Sequence, residues 1–446
     1  MGMTKKDALF SDSWMSSWMR TINASEAYRE AGKKWKDAIV LRFDDGLNAD
    51  GKKHTGFFLD LENGSCKQLR YAGEADLQSA PYILTAPYHI WEKLIRDNKD
   101  PLFMIMSGVI RVEKGSMLTL GLQRNAAKAL LSAAAEAVAK PDTPYSAEAS
   151  QAQDPSKTGL SHRKTEKSDG RSSYSTTSRG LDFESIPMQL FQKAKQLGVW
   201  NPADIDFSKD RAQWVTFTDT EKDLIFRLTA MFMGGEEAVT LDLLPLIQTL
   251  AREGRIEEEL FLTSFLWEEA KHTEFFALFL RDVIGKPFDM EHYHGPAYRR
   301  LFHGELETAL QRLHKDDSPK AQLFASLTYN MIVEGTLAET GYEAYHRMLT
   351  EQDMLPGLRE GIGLLKRDES RHIAFGLYLI DRLLRENPEL RDAFETEAGR
   401  LAGLVIDVVD EIFAPYQTMP FKLEKAWFVD FALNQFKKRM KKLFDA

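Results

Sequence analysis

Two segments about a hundred residues apart constrain this chain more than anything else in it. They are "FLWEEAKHTEFF" (265–276) and "LLKRDESRHIAF" (364–375). Each sets a glutamate three residues before a histidine, Glu269 with His272 and Glu369 with His372, inside a largely apolar run. Residues three apart on a helix share a face, so each pair offers one oxygen and one nitrogen donor together. A buried, isolated carboxylate is costly and must be paired, protonated or metal-bound. Two more apolar runs carry interrupting glutamates: Glu236 and Glu237 follow "LTAMFMGG", and Glu334 lies within "LTYNMIVEGTLA".

A Glu-x-x-His from each of two helices, with one Glu from each of two others, is the di-metal carboxylate arrangement of ferritin-like bundles. Four ionised glutamates balance two divalent cations when the histidines are neutral. Mixed oxygen and nitrogen donors suit iron or manganese better than a thiolate-seeking metal. Each motif alone is weak; the four together are specific. Spacing does not choose between Glu236 and Glu237.

The rest of the chain divides at a polar stretch. Residues 141–180 hold nine serines and no Ile, Val, Phe, Trp or Met. Such a segment cannot bury enough apolar surface to offset chain entropy, so a disordered linker is expected there. It separates a domain at 1–140 from one at 181–446. In the first, Phe10, Trp14 and Trp18 recur at helical steps. "AIVLRF" and "TGFFLDLENGS" read as strands with a turn at Asn63-Gly64. Residues 102–122 read as two further strands around Gly115, and "QRNAAKALLSAAAEAV" reads as a closing helix. The expected class is α+β, with helices over one face of a mostly antiparallel sheet. The second domain is helical: four runs, at 222–251, 256–284, 320–349 and 358–384, each exceed twenty residues, as in an antiparallel bundle. The expected whole is a multidomain chain, α+β followed by an all-α ferritin-like bundle.

The net charge of −9 argues against nucleic-acid binding. A single cysteine, Cys66, excludes an internal disulfide and fits a reducing compartment. The N-terminus has no apolar signal-peptide core, and no run reaches the ~18 apolar residues of a membrane span. A cytoplasmic protein without an integral membrane segment is expected.

Residues 181–446 resemble the small-subunit family of class I ribonucleotide reductase, and within it the ligand-binding oxidase branch. The resemblance implies Glu236, rather than Glu237, with Glu269, His272, Glu334, Glu369 and His372 as metal ligands. Glu269 would bridge. Manganese would lie with Glu236, Glu269 and His272, and iron with Glu334, Glu369 and His372; a di-iron centre is the alternative. Asp368 would orient His272 and, by pseudo-symmetry, Glu268 would orient His372. Val239 and Tyr329 match the pair that the oxidase branch joins by an ether bond. Val239 is one turn from Glu236. Tyr329 is five residues before Glu334, about 140° away on an α-helical wheel, so α-helical geometry alone does not bring it to the metals. The resemblance also implies a homodimer and O2 activation on or with a bound long-chain fatty acid; it names no electron donor. Two other readings stay open, a true reductase small subunit and a non-catalytic metal-dependent lipid binder. Where such a subunit has its radical tyrosine, four residues past the first histidine, this chain has Phe276, and its basic C-terminus lacks a tyrosine-bearing tail.

Residues 10–137 resemble the sterol-carrier-protein lipid-binding domain. The features are the strand "IVLRF", the helix around Trp91 and Leu94, and the Asp100-Pro101, Gly108 and Gly115 positions of "DNKDPLFMIMSGVIRVEKGSMLTL". That resemblance implies an apolar tunnel for a lipid or fatty acyl chain. A flexible tether of forty residues would span ~35 Å, enough for such a domain to reach the bundle and deliver ligand.

Overall fold

The computed structural model describes residues 9–49, 52–97, 99–139, 174–285, 290–350 and 353–444. Five strands form the N-terminal sheet: β1 (Ala38–Ala49), β2 (Lys52–Glu62), β3 (Ser65–Tyr71), β4 (Tyr82–Ala86) and β5 (Arg111–Lys114), in the order β3-β2-β1-β4-β5. All neighbours are antiparallel except β1 and β4, which pair in parallel from Ile39↔Tyr82 to Phe43↔Ala86. The β2–β3 turn uses Asn63 and Gly64, both at positive φ (49° and 77°), as a tight hairpin requires.

Helix α1 (Asp12–Ala24) lays Trp14, Trp18 and Ile22 against the sheet core. Residues 102–122 depart from the two-strand expectation. They form α2 (Pro101–Met106), the single short strand β5, and α3 (Met117–Leu122). Asp100 caps α2 by accepting from the Phe103 N–H, with Pro101 at the first helical position, where a missing N–H costs nothing. Ser116 caps α3 in the same way. Capped six-residue runs are too short for a periodicity that separates helix from strand. Helix α4 (Arg124–Ala139) closes the domain.

The bundle is built on α5 (Asp219–Asp242), α6 (Ile256–Phe279), a π-helix (Leu327–Ala338), α7 (Pro356–Glu386), α8 (Arg391–Phe413) and α9 (Lys425–Phe444). The run at 222–251 is two helices rather than one, because Pro245 opens a separate segment, Leu244–Arg252. The run at 320–349 is continuous but changes pitch: α-helical turns flank the π-helix.

Most of the linker expectation, 141–173, lies outside the described residues. Its last part differs from the expectation: Ser175–Ser178 is a helical turn, and Arg179 makes a bidentate pair with Glu257 at 2.7 and 2.8 Å. The two domains share a packed seam. The Phe103 ring meets the Phe436 ring edge-on at 6.4 Å. Asp100 and Phe103 lie against Gly399 of α8, and Arg124 lies across Gly403. A β-carbon at Gly403 would sit 2.7 Å from the Arg124 Nε, so a larger residue there would push the arginine side chain aside. No helix among the described residues is long and apolar enough to cross a membrane.

Candidate metal centre

The four elements α5, α6, the π-helix and α7 bring Glu236, Glu269, His272, Glu334, Glu369 and His372 together in the bundle interior, all buried. Their donor atoms fall into two overlapping sets, Glu236–Glu269–His272–Glu369 and Glu269–Glu334–Glu369–His372, with the atoms of each within 4.8 Å of one another. Both sets contain Glu269 and Glu369. Glu237, one residue from Glu236, is exposed.

The two histidines turn the same nitrogen inward. His272 Nδ1 lies 3.4 Å from Glu236, 3.7 Å from Glu269 and 3.5 Å from Glu369. His372 Nδ1 lies 2.9 Å from Glu269, 3.3 Å from Glu369 and 3.8 Å from Glu334. The outward nitrogens face carboxylates: His272 Nε2 is 3.5 Å from Asp368, and His372 Nε2 is 2.9 Å from Glu268. The Glu268 contact fixes the His372 ring and leaves its Nδ1 free to ligate, whereas His272 Nε2 has no hydrogen-bond partner.

Sequence reasoning missed the cations behind this layer. Arg371 donates to Glu268 at 2.5 Å and to Asp368 at 2.6 Å. Lys271 donates to Asp368 at 3.0 Å and to the Gly198 carbonyl at 2.6 Å. The Lys271 ammonium also sits between the Trp200 and Trp267 rings, at 4.5 and 4.4 Å from their centroids. Trp200 Nε1 donates to Asp368 at 2.7 Å. Two polar residues nearer the centre were missed as well: Tyr342 donates to Glu369 at 3.0 Å and Asn330 to Glu334 at 3.1 Å.

The donor set fits a metal pair. Burial pushes the Glu236 and Glu334 carboxyls well above the ordinary range. Burial also opposes charge on the two imidazoles, yet the surrounding carboxylates raise both well above the usual histidine value. For Glu269, burial acts upward, and the two histidines overcome it and hold the carboxyl below its usual range. Both trends describe a pocket that attracts positive charge. Both Glu269 oxygens, Glu334 Oε1, Glu369 Oε2 and both inward Nδ1 atoms are buried without a hydrogen-bond partner. Six orphaned donors converging in one place are what cations would satisfy.

Tyr329 is fully buried, and its hydroxyl also has no hydrogen-bond partner. Burial, then the charges of all four glutamates, keep its phenol protonated. Its ring lies 5.7 Å from that of Phe265, which stacks on His372 at 3.6 Å. The π-helix explains how it reaches this region. Bonding runs i→i+5, as between the Glu339 N–H and the Glu334 carbonyl, so residues five apart stack as residues four apart do on an α-helix. Val239, buried, lies in the wall of a cavity of about 80 Å³ that also meets Glu236, Glu269, Glu334 and Glu369. The remaining wall is chiefly apolar, with Leu228, Phe232, Phe302, Leu337 and Phe413 among it.

The model of the ribonucleotide reductase small chain matches residues 188–441, more than half of the sequence. The chain belongs to the ribonucleotide reductase small-chain family. Among the solved structures similar to this family member are R2-like ligand-binding oxidases. One with an aerobically reconstituted Mn/Fe cofactor is 38% identical, with 61% of this chain and 98% of that chain covered and a TM-score of 0.59. A tyrosine-to-phenylalanine variant with an anaerobically reconstituted Mn/Fe cofactor is 38% identical, with 62% and 100% covered and a TM-score of 0.60. A valine-to-leucine variant, likewise anaerobically reconstituted, is 39% identical over the same shares, with a TM-score of 0.59. These relatives carry Mn/Fe cofactors, and this small-chain family member has the buried carboxylate and histidine groups to hold a dimetal site.

Proposed function

We propose that the protein is an oxygen-activating oxidase with a manganese/iron pair, acting on or with a bound long-chain fatty acid or other lipid, and that its N-terminal domain is a sterol-carrier-like lipid-binding domain. The observation that carries the reading is the apolar cavity whose wall includes all four glutamates. An apolar ligand held there would have its chain beside the four glutamates. Glu236, Glu269 and His272 would hold manganese and Glu334, Glu369 and His372 iron, with Glu269 within reach of both donor sets. Asp368 orients His272, and Glu268 orients His372.

When bound and reduced, the metal pair supplies the electrons and oxidising power for attack on an unactivated C–H bond by O2. The chain's own residues set the surroundings. Phe232, Phe302 and Phe413 exclude water, which strengthens every charge interaction within. Tyr329 stays protonated until its hydrogen is removed. Val239 Cβ loses one hydrogen and Tyr329 Oη another as the ether bond forms. Ether formation releases two hydrogens, which provide two of the four electrons and two of the four protons that turn O2 into two waters; a bound, reduced metal pair would supply the other two electrons and solvent the other two protons. Phe276, fully buried and stacked on Phe232, offers no phenol for the stored radical of a reductase subunit.

Steady O2 consumption is the test. With both metals loaded and an external reductant, turnover that rises with added long-chain fatty acid supports the oxidase. Lipid bound in the cavity with no O2 uptake would make the protein a metal-dependent lipid binder instead.

A further inference from the structure

The N-terminal domain holds a second cavity, of about 70 Å³, between the sheet and α2, α3 and α4. Its wall is apolar except for Tyr28, Gln123 and Arg124, and Arg124 is the one charged residue in it. The Tyr28 hydroxyl is buried and has no hydrogen-bond partner. Arg124 belongs to the seam at the same time. Its guanidinium donates to both oxygens of Asp407 on α8, at 3.0 and 2.5 Å, after crossing Gly403. Both partners keep partial solvent access, at 24% and 29% exposure, so exchange of one carboxylate for another carries no full desolvation cost.

We propose that this cavity takes a long-chain carboxylate whose head group replaces Asp407 on Arg124, so that filling the cavity loosens the seam between the N-terminal domain and α8. The inference rests on the lipid-binding reading of that domain. The ligand class follows from the wall. An apolar chamber of about 70 Å³ accepts the first carbons of an alkyl chain, the remainder displacing its apolar wall, and a planar guanidinium at its edge accepts a carboxylate through two parallel hydrogen bonds. Asp407 already shows that geometry. The seam reports to the bundle because α8 is a shared wall: Gly399, Gly403 and Asp407 face the N-terminal domain, while Val409, Ile412 and Phe413, further along, line the cavity over the glutamates. A ligand that frees Asp407 therefore loosens one wall of the second chamber.

The test uses the full-length, metal-loaded chain with palmitate and hexadecanol as probes, counted by native mass spectrometry across a titration. Ala127→Trp, which fills the N-terminal cavity, identifies the molecule bound there. Asp407→Asn removes the competing charge and should tighten palmitate at that site about fivefold, the worth of a good half-exposed pair, with hexadecanol unchanged. Arg124→Gln should weaken palmitate alone. Palmitate, but not hexadecanol, should speed amide exchange at 117–122 and 399–407. If palmitate and hexadecanol bind the site equally and neither variant separates them, the head-group exchange is wrong while the lipid reading stands. If no probe molecule is lost in Ala127→Trp, the lipid reading of the domain falls and the exchange with it.

Discussion

Glu269→Ala tests the centre most sharply, because Glu269 belongs to both donor sets whereas Glu236 belongs to one. Removing Glu236 should lower the affinity for one metal; removing Glu269 should lower it for both. A metal held at a hundred times its dissociation constant stabilises the folded chain by about 2.7 kcal/mol. For a bundle of this size, 1 kcal/mol moves the melting temperature by about 2–4 °C. Glu236→Ala should therefore melt roughly 5–11 °C below the wild type under manganese and iron, and Glu269→Ala roughly 10–20 °C below. In chelator the gaps should shrink, since the wild type then loses the same stabilisation. Glu237→Ala, at the exposed neighbour, should match the wild type throughout. The assay is metal analysis per folded chain after gel filtration, paired with melts in metal and in chelator. A folded Glu269→Ala chain that keeps both metals would refute the shared-ligand geometry.

Three further outcomes follow from the same residues. Aerobic assembly with manganese and iron should lower the chain mass by ~2 Da as Val239 and Tyr329 join, a covalent change read by peptide mapping; Tyr329→Phe should bind both metals and show no loss. Leu228→Trp should fill the bundle cavity and exclude palmitate there while metal analysis stays unchanged, with about 1–3 kcal/mol of overpacking cost in the melt. Glu257 is held down to about 2, chiefly by its hydrogen bonds from Arg179. A depressed carboxyl stabilises above its ordinary pKa and loses that contribution as pH falls towards the folded value. Anchoring of 174–180 should thus weaken between about pH 4.5 and 2, seen as faster peptic cleavage there. At pH 8, Glu257→Gln should already speed tryptic cleavage after Arg179.

The donor residues were legible because six of them interrupt apolar runs, and a carboxylate in such a run needs an explanation. The layer behind them had a signal that went unread. "EEAKH" and "DESRH" repeat an acid, a glutamate, a cation and a histidine at the same offsets. Glu268 and Asp368 are each three residues from a cation, Lys271 and Arg371, so acid and cation share a face just as Glu269 and His272 do. Long charged side chains are usually solvent-exposed, and only the structure shows these two buried. The position of Tyr329 was out of reach for another reason. A helical wheel assumes 3.6 residues per turn, and no residue type in "LTYNMIVEGTLA" announces the wider turn. In the N-terminal domain, β4 went unseen because all five of its residues are buried, which removes the alternation that marks a strand.

The glycine face of α8 has a consequence for any truncated form of the chain. Gly399 and Gly403, with Ile406 seated against Gly121 and Phe436 against Phe103, form a surface suited to one neighbour and poor as an exterior. A chain truncated to its bundle would present that apolar strip to water. The N-terminal half would likewise bare α2 and α3. The two halves are thus mutually dependent for solubility. Losing either one would carry a penalty separate from any loss of activity, and selection would retain the pair as a single heritable unit.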